Sequence, residues 1–206
     1  VVDTSDTTLY VGVLALQGAF ELHAQVLRDV TNSLGVELEI VELRSVEDVV
    51  HLDGIILPGG ESTVMSKLLD SSGLGEVLTA KITNGLDVLA TCAGLILLAD
   101  YFDALDCDVD RNAYGRQRES FESDVSWSET GEKHRVSFIR APKITRTGNT
   151  VVPSVTHLVD GSDEPEVVGV QNEHILALSC HPEVLGEKAF HDFFVRRILQ
   201  RVASRP

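Results

Sequence analysis

One alternation runs through the first hundred residues, and it narrows the fold more than any other feature. Short apolar runs at residues 9–16 (LYVGVLAL), 54–57 and 86–90 read as buried strands, and residues 37–43 read as a strand by alternating apolar and polar side chains. Between them lie helical patterns. Residues 20–30 place Leu22, Val26 and Leu27 at helical spacing, residues 45–50 open with Ser45 and carry Asp48 three positions on, and residues 62–69, 74–83 and 93–99 follow. Strands that alternate with helices build a mainly parallel sheet covered on both faces. After Tyr101 the texture shifts to short strand-like runs at 106–110, 121–125, 136–139, 151–157, 167–170 and 175–179, which predict antiparallel additions. Residues 187–202 close the chain as an amphipathic helix. The expected fold class is α/β: a single three-layer domain with a mainly parallel central sheet, helices on both faces and antiparallel additions. With 206 residues, no internal repeat and no low-complexity linker, one domain is the simplest account, spanning residues 9–203. Residues 1–8 are polar, lack the basic start of a signal peptide, and read as a flexible N-terminal extension.

Charge and cysteine usage exclude several function classes. Seventeen basic against 32 acidic residues give a net charge of −15, which is unsuited to a phosphate backbone, so no nucleic-acid partner is expected. No run approaches a membrane span, so no membrane partner is expected either. The three cysteines, Cys92, Cys107 and Cys180, are too few and too scattered for a disulfide framework and include no Cys-x-x-Cys pair, so neither disulfides nor a structural metal is expected. This usage fits a reducing, cytoplasmic setting.

Cys92 falls where the 86–90 strand hands over to the 93–99 helix. Ligands of parallel α/β sheets bind at such carboxyl-end turns, and a sharp elbow there exposes a nucleophile. The helix N-terminus favours thiolate, and the amide of Ala93 offers an oxyanion donor. By position alone Cys92 is either such a nucleophile or a small buried hydrophobe. His181-Pro182-Glu183, just beyond the 175–179 strand, shifts the balance. Two residues apart in extended chain, His181 and Glu183 point to one side, so the carboxylate can orient the imidazole toward a thiol. Pro58-Gly59-Gly60 after the 54–57 strand can turn backbone amides toward an anion, or be a plain turn with Ser62 or Thr63 as helix cap.

These elements resemble the class I, triad-type glutamine amidotransferases, and within them the family of glutaminase subunits that serve pyridoxal 5′-phosphate synthases. The carrying segments are VGVLALQGA (11–19), LPGGEST (57–63), TCAGLI (91–96), RNAYGRQ (111–117), SFE (120–122), FIRAP (138–142) and HPE (181–183). The resemblance implies that Cys92 is the nucleophile, His181 the base and Glu183 its orienting acid. It implies that Gly60, Glu61, Ser62, Arg111, Ile139 and Arg140 line the glutamine site, and that the amides of Gly60 and Ala93 form the oxyanion hole. It implies L-glutamine as substrate, a cysteine thioester intermediate, no cofactor and no metal, and a (β/α)8-barrel synthase partner in a 12:12 complex. It also implies that the loop and helix around His23 face that partner.

Two positions depart from the family pattern. Ala90 stands where the elbow usually has glycine, and its small methyl should be tolerated. Cys180 precedes the histidine where an aromatic is usual, and is expected to pack. His51, His134, His157, His174 and His191 show no ligand spacing and read as surface residues, and Cys107 reads as structural. Three rivals remain at this point: a glutaminase for another synthase, a binding-only subunit that has lost turnover, and an α/β cysteine hydrolase of protease or chaperone type. The 111–117 segment weighs against the first, intact Cys92, His181 and Glu183 against the second, and Arg111 with Arg140 against the third.

Overall fold

The computed structural model describes residues 8–111, 120–159 and 161–204. Its elements run β1 (Leu9–Leu14), α1 (Phe20–Leu34), β2 (Leu38–Leu43), β3 (Gly54–Leu57), α2 (Ser62–Ser72), α3 (Leu74–Thr83), β4 (Asp87–Thr91) and α4 (Ala93–Ile96). They continue with β5 (Cys107–Asp110), β6 (Phe121–Trp127), β7 (Lys133–Phe138), β8 (Lys143–Thr147), β9 (Val152–His157), β10 (Glu166–Gln171), β11 (Ile175–Leu178) and α5 (Ala189–Ala203). Among the described residues, nine strands form one sheet in the order β2–β1–β3–β4–β11–β10–β9–β6–β7. The first five are parallel, and the sheet turns antiparallel from β10 onward.

Alternation along the strands divides the core into two layers. Val11, Val13, Ile56, Leu89 and Leu176 face one way and pack against Val26, Leu27 and Val30 of α1 and Phe190, Phe194 and Ile198 of α5. Leu14, Ile55, Leu57, Val88 and Ala177 face the other way, onto Met65 and Leu69 of α2 and Leu74, Leu78 and Ile82 of α3. Burying each such Leu, Ile or Phe contributes about 1.5–3 kcal/mol. Helix α1 stops where Gly35 takes the left-handed conformation (φ 65°) and donates its amide to Asn32 and Thr31.

Several local expectations need correction. Helix α1 continues four residues past Val30, to Leu34. The expected helix at residues 45–50 is a single 3₁₀ turn, Val46–Val49, closed by reciprocal capping between Ser45 and Asp48. The apolar helix after Cys92 is α-helical only to Ile96 and then widens into a π turn over Leu97–Tyr101. Strand β5 does not join the main sheet but pairs with β8, a strand the sequence pattern did not reveal. Among the described residues, no helix is long and apolar enough to cross a membrane. The expected extension at residues 1–8 lies outside the described residues apart from Thr8.

Candidate active site

The parallel strands β3, β4 and β11 all end at one edge, and the site is assembled from the turns that leave them. Between β4 and α4, Cys92 adopts φ 49° and ψ −105°. A side-chain-bearing residue held there costs roughly 1–3 kcal/mol, so the surrounding bonds must impose it. They do: the Cys92 amide donates to Leu178 O at 2.8 Å, and its carbonyl accepts from Leu95 (3.1 Å) and Ile96 (3.4 Å). The turn is tight enough that a Cβ on Gly94 would sit 2.1 Å from Leu57 O. Ala93 opens the helix, where amides have no intrahelical acceptor. Ala90 lies two residues back inside β4, paired with Leu57 and Ala177. Its methyl is fully buried in the α2–α3 core layer and its backbone is not left-handed, so alanine fits where the family pattern has glycine.

His181 leaves β11 and is pinned to β7: its amide donates to Ser137 O at 2.8 Å and its carbonyl accepts from Ser137 N at 3.3 Å. Its ring Nδ1 lies 2.7 Å from Glu183 Oε1. That leaves Nε2 for the Cys92 thiol, the ring's other hydrogen-bond partner. Burial works against the imidazolium, but the bonds to Cys92 and Glu183 outweigh it and raise His181 to about 10. Burial alone would likewise push the Glu183 carboxyl up. The facing imidazoles of His23 and His181 prevail and hold it well below the ordinary carboxylate range. The Cys92 sulfur also lies 3.9 Å from Ile139 O.

The Gly59 backbone closes the other side of the ring. A Cβ at Gly59 would lie 2.2 Å from His181 Cε1. Substituting Gly59→Ala should therefore push the imidazole off the thiol. The expected result is a fall in turnover at the Cys92 site of about 10²-fold, the scale of a misplacement near 1 Å. Steady-state kinetics checks this, with circular dichroism confirming an unchanged fold.

Cys92 and His181 open into a pocket of about 610 Å³, a size suited to a small ligand. Of the residues expected at the site, Gly60, Glu61, Ser62, Arg111, Ile139 and Arg140 line it as well. Glu183 stands behind His181, and Ala93 is not among the residues that line the pocket. The Glu61 carboxylate is occupied in capping α2, accepting from Thr63 N (3.1 Å) and Val64 N (2.9 Å). Arg111 is held by Asp100 at 2.6 Å, whereas Arg140 has no ion pair among the described residues and, like Cys92, has a left-handed backbone (φ 47°). The remainder of the 111–117 segment, residues 112–117, lies outside the described residues.

Sequence reasoning assigned no role to several lining residues. Gly18, Ala19, Thr63 and Ile96 also face the pocket. Gln17 supports it from β1's end: its Oε1 accepts from Glu61 N at 2.8 Å, and Ala19 N donates to Gly59 O at 3.1 Å. The signal was the Gln17-Gly18 pair directly after an apolar strand.

The reading of the histidines needs correction too. His51 is exposed and His174 half-buried, but His134, His157 and His191 are buried. Each finds a polar partner that makes burial tolerable: Thr130 Oγ1 at 3.0 Å, Ser123 Oγ at 2.9 Å and the His23 ring at 2.9 Å, respectively. His23 does not present its ring outward from α1, because its side chain is fully buried against the site. Cys107 and Cys180 are buried free thiols. Burial pushes Cys107 up to about 11 and Cys180 higher still, so both pack rather than react.

A parallel sheet whose central strands deliver a cysteine elbow beside a His–Glu pair is the architecture of glutamine amidotransferases. A solved structure described as a glutamine amidotransferase superposes with a TM-score of 0.75 at 34% identity, covering 91% of this chain and 98% of its own. The chain belongs to the SNO glutamine amidotransferase family, whose model matches residues 13–200. Its relatives include two proteins named pyridoxal 5′-phosphate synthase subunit PdxT. The one from Thermococcus onnurineus is 40% identical over 93% of this chain and 100% of its own length. The one from Methanocorpusculum labreanum is 46% identical over 91% and 97%.

Proposed function

We propose that this chain hydrolyses L-glutamine to L-glutamate and ammonia and delivers the ammonia to the (β/α)8-barrel subunit of a pyridoxal 5′-phosphate synthase, for vitamin B6 synthesis. The observation that carries the reading is the Cys92 elbow meeting a His181 ring whose far nitrogen is held at 2.7 Å by Glu183, inside a pocket lined by Arg140. Residues 9–203 act as the amidotransferase domain and residues 1–8 as an extension from it. The setting is cytoplasmic and the assembly 12:12.

In this reading the Cys92 sulfur bonds to the side-chain amide carbon of glutamine. The oxyanion that forms is met by the amides of Gly60 and Ala93. The carbon–nitrogen bond breaks as His181 passes its proton to the departing nitrogen, leaving ammonia and a γ-glutamyl thioester. His181 then takes a proton from water as its oxygen bonds to the thioester carbon; the carbon–sulfur bond breaks, glutamate leaves, and His181 shares that proton with the freed sulfur to restore the starting pair. Glu183 holds the His181 ring by Nδ1 so that Nε2 faces sulfur. No metal or cofactor enters. Glutamine is gripped by Arg111 and Arg140 with Gly60, Glu61, Ser62 and Ile139, since an arginine suits an α-carboxylate.

Removing the grip should weaken binding without altering chemistry. Arg140→Ala is expected to raise KM for glutamine by about tenfold or more, the scale of one charge-assisted bond, with kcat little changed. Initial rates across glutamine concentration separate the two constants. The reading as a whole is tested by glutamate release with and without the synthase chain. Turnover that rises on docking and yields pyridoxal phosphate supports it, and no hydrolysis in either condition removes it.

A further inference from the structure

Behind the Cys92–His181–Glu183 row lies a second row of buried polar side chains that the mechanism above leaves unused. His23 of α1, Thr91 at the end of β4 and His191 of α5 are all essentially inaccessible. His23 Nε2 lies 3.1 Å from Thr91 Oγ1 and 3.4 Å from Glu183 Oε1. Its Nδ1 lies 2.9 Å from His191 Nε2. Both ring nitrogens of His23 are therefore engaged, by groups 68 to 168 positions away in sequence.

The proton positions follow from what has no partner. His191 Nδ1 is buried and has no hydrogen-bond partner among the described residues. A lone pair without a donor costs less than a buried N–H without an acceptor, so the His191 proton belongs on Nε2. His191 then donates to His23 Nδ1. That places the His23 proton on Nε2, facing Glu183 and Thr91. Burial pushes His191 down to about 3, consistent with a neutral ring. Glu183 needs this second donor. It is 2% exposed, its Oε2 has no hydrogen-bond partner among the described residues, and Oε1 carries the bond to His181. A buried carboxylate with a single donor is poorly solvated and poorly fixed in rotation.

We propose that His23 is a positioning residue for Glu183: its Nε2–H, shared between Glu183 Oε1 and Thr91 Oγ1, fixes the carboxylate that orients His181, while His191 fixes the His23 ring. The proposal rests on the roles given above to Cys92, His181 and Glu183. It makes α1 and α5 part of the site's alignment although neither touches substrate through these rings.

The test compares two polar variants in the full chain assembled with the synthase subunit. H23Q extends an amide donor to the position of Nε2, whereas H23N ends near Nδ1 and leaves Glu183 without it. The expected result is H23N reduced about 10- to 100-fold in kcat, the usual cost of losing an outer-shell partner, with KM for glutamine unchanged and H23Q largely rescued. Alkylation of Cys92 by iodoacetamide at neutral pH should slow in the same order. Wild-type kcat in H23N, equal loss in both variants, or a loss confined to KM overturns the proposal. If H23N does not fold, H191F keeps ring volume while deleting the donor to His23, and an unchanged kcat there has the same consequence. Because alkylation needs no glutamine, its rank order still decides the point if the wild-type chain proves not to hydrolyse glutamine.

Discussion

Replacing Cys92 by alanine should abolish glutamine hydrolysis and leave the fold and the docking of the synthase chain intact. The sulfur is the atom that bonds to substrate in the proposed mechanism, and nothing else at the site can take over. Ser62 lies in the same pocket, but it opens helix α2, and His181, held by Glu183 and Ser137, is hydrogen-bonded to the Cys92 thiol. Loss of the nucleophile in a triad hydrolase lowers kcat by about 10⁶-fold, so turnover should fall to background. Some stability should be lost, because the bond from Cys92 that helps hold His181 protonated is gone, but the fold should persist. The sulfur's contact with Ile139 O is weak at 3.9 Å, and the bonds that hold the elbow are made by backbone. Alanine also meets the same left-handed constraint at φ 49° that cysteine does, so it neither relieves nor adds strain. Thermal melts of the variant should stay cooperative with a somewhat lower midpoint, and sedimentation with the synthase chain should give the same complex. Glutamate release that persists in this variant would remove Cys92 from the chemistry.

Glu183→Gln should produce the next largest effect, a fall in kcat of about 10²- to 10⁴-fold with KM little changed, as when a triad's carboxylate is replaced by its amide. The amide removes the negative partner of the His181 imidazolium and, with its NH₂ turned toward Nδ1, leaves that ring N–H without an acceptor. The substitution also carries a pH signature. The wild-type carboxyl is held below its ordinary range, so its contribution to stability is present above the unfolded value of about 4.3 and is lost as pH falls further. The raised His181 works in the opposite sense. Its contribution is complete below the unfolded value of about 6.5 and disappears as pH rises through about 10. Both are complete only between those two unfolded values. The stability gap between wild type and E183Q should therefore peak at mildly acidic pH, narrow toward pH 10 and narrow again in stronger acid. Denaturant titrations across that range check the shape, and a gap flat in pH would mean the pair is not ionised.

The parts of this molecule that were legible in sequence are those written in local periodicity. The strands ending at Leu57 and Thr91, the Pro58-Gly59-Gly60 turn and the Cys92 elbow declare themselves within a few residues of chain. So does His181-Pro182-Glu183, whose spacing alone lets one side chain reach the other. Strand β8 hid because its sequence, KITRT, exposes basic side chains and carries no apolar alternation strong enough to stand out from a loop. Strand β5 was visible as a strand, but its partner was not, since register with β8 is set by tertiary packing. The buried histidines were misread for a related reason. A search for ligand spacing compares neighbours in sequence, whereas His23 and His191 meet across 168 residues and His157 meets Ser123 across 34. Burial of an imidazole depends on such distant partners, and no window on the sequence contains them.

The left-handed backbone at Cys92, repeated at Arg140 in the same pocket, has a consequence for anyone engineering this chain. At both positions glycine would relax the fold, because only glycine visits such angles freely. A search for thermal tolerance, or a substitution library ranked by expression alone, should thus score Cys92→Gly and Arg140→Gly as improvements. The same library ranked by ammonia delivered to the synthase should place the first of these at the bottom. Where the two rankings diverge most sharply, the divergence itself draws the outline of the site.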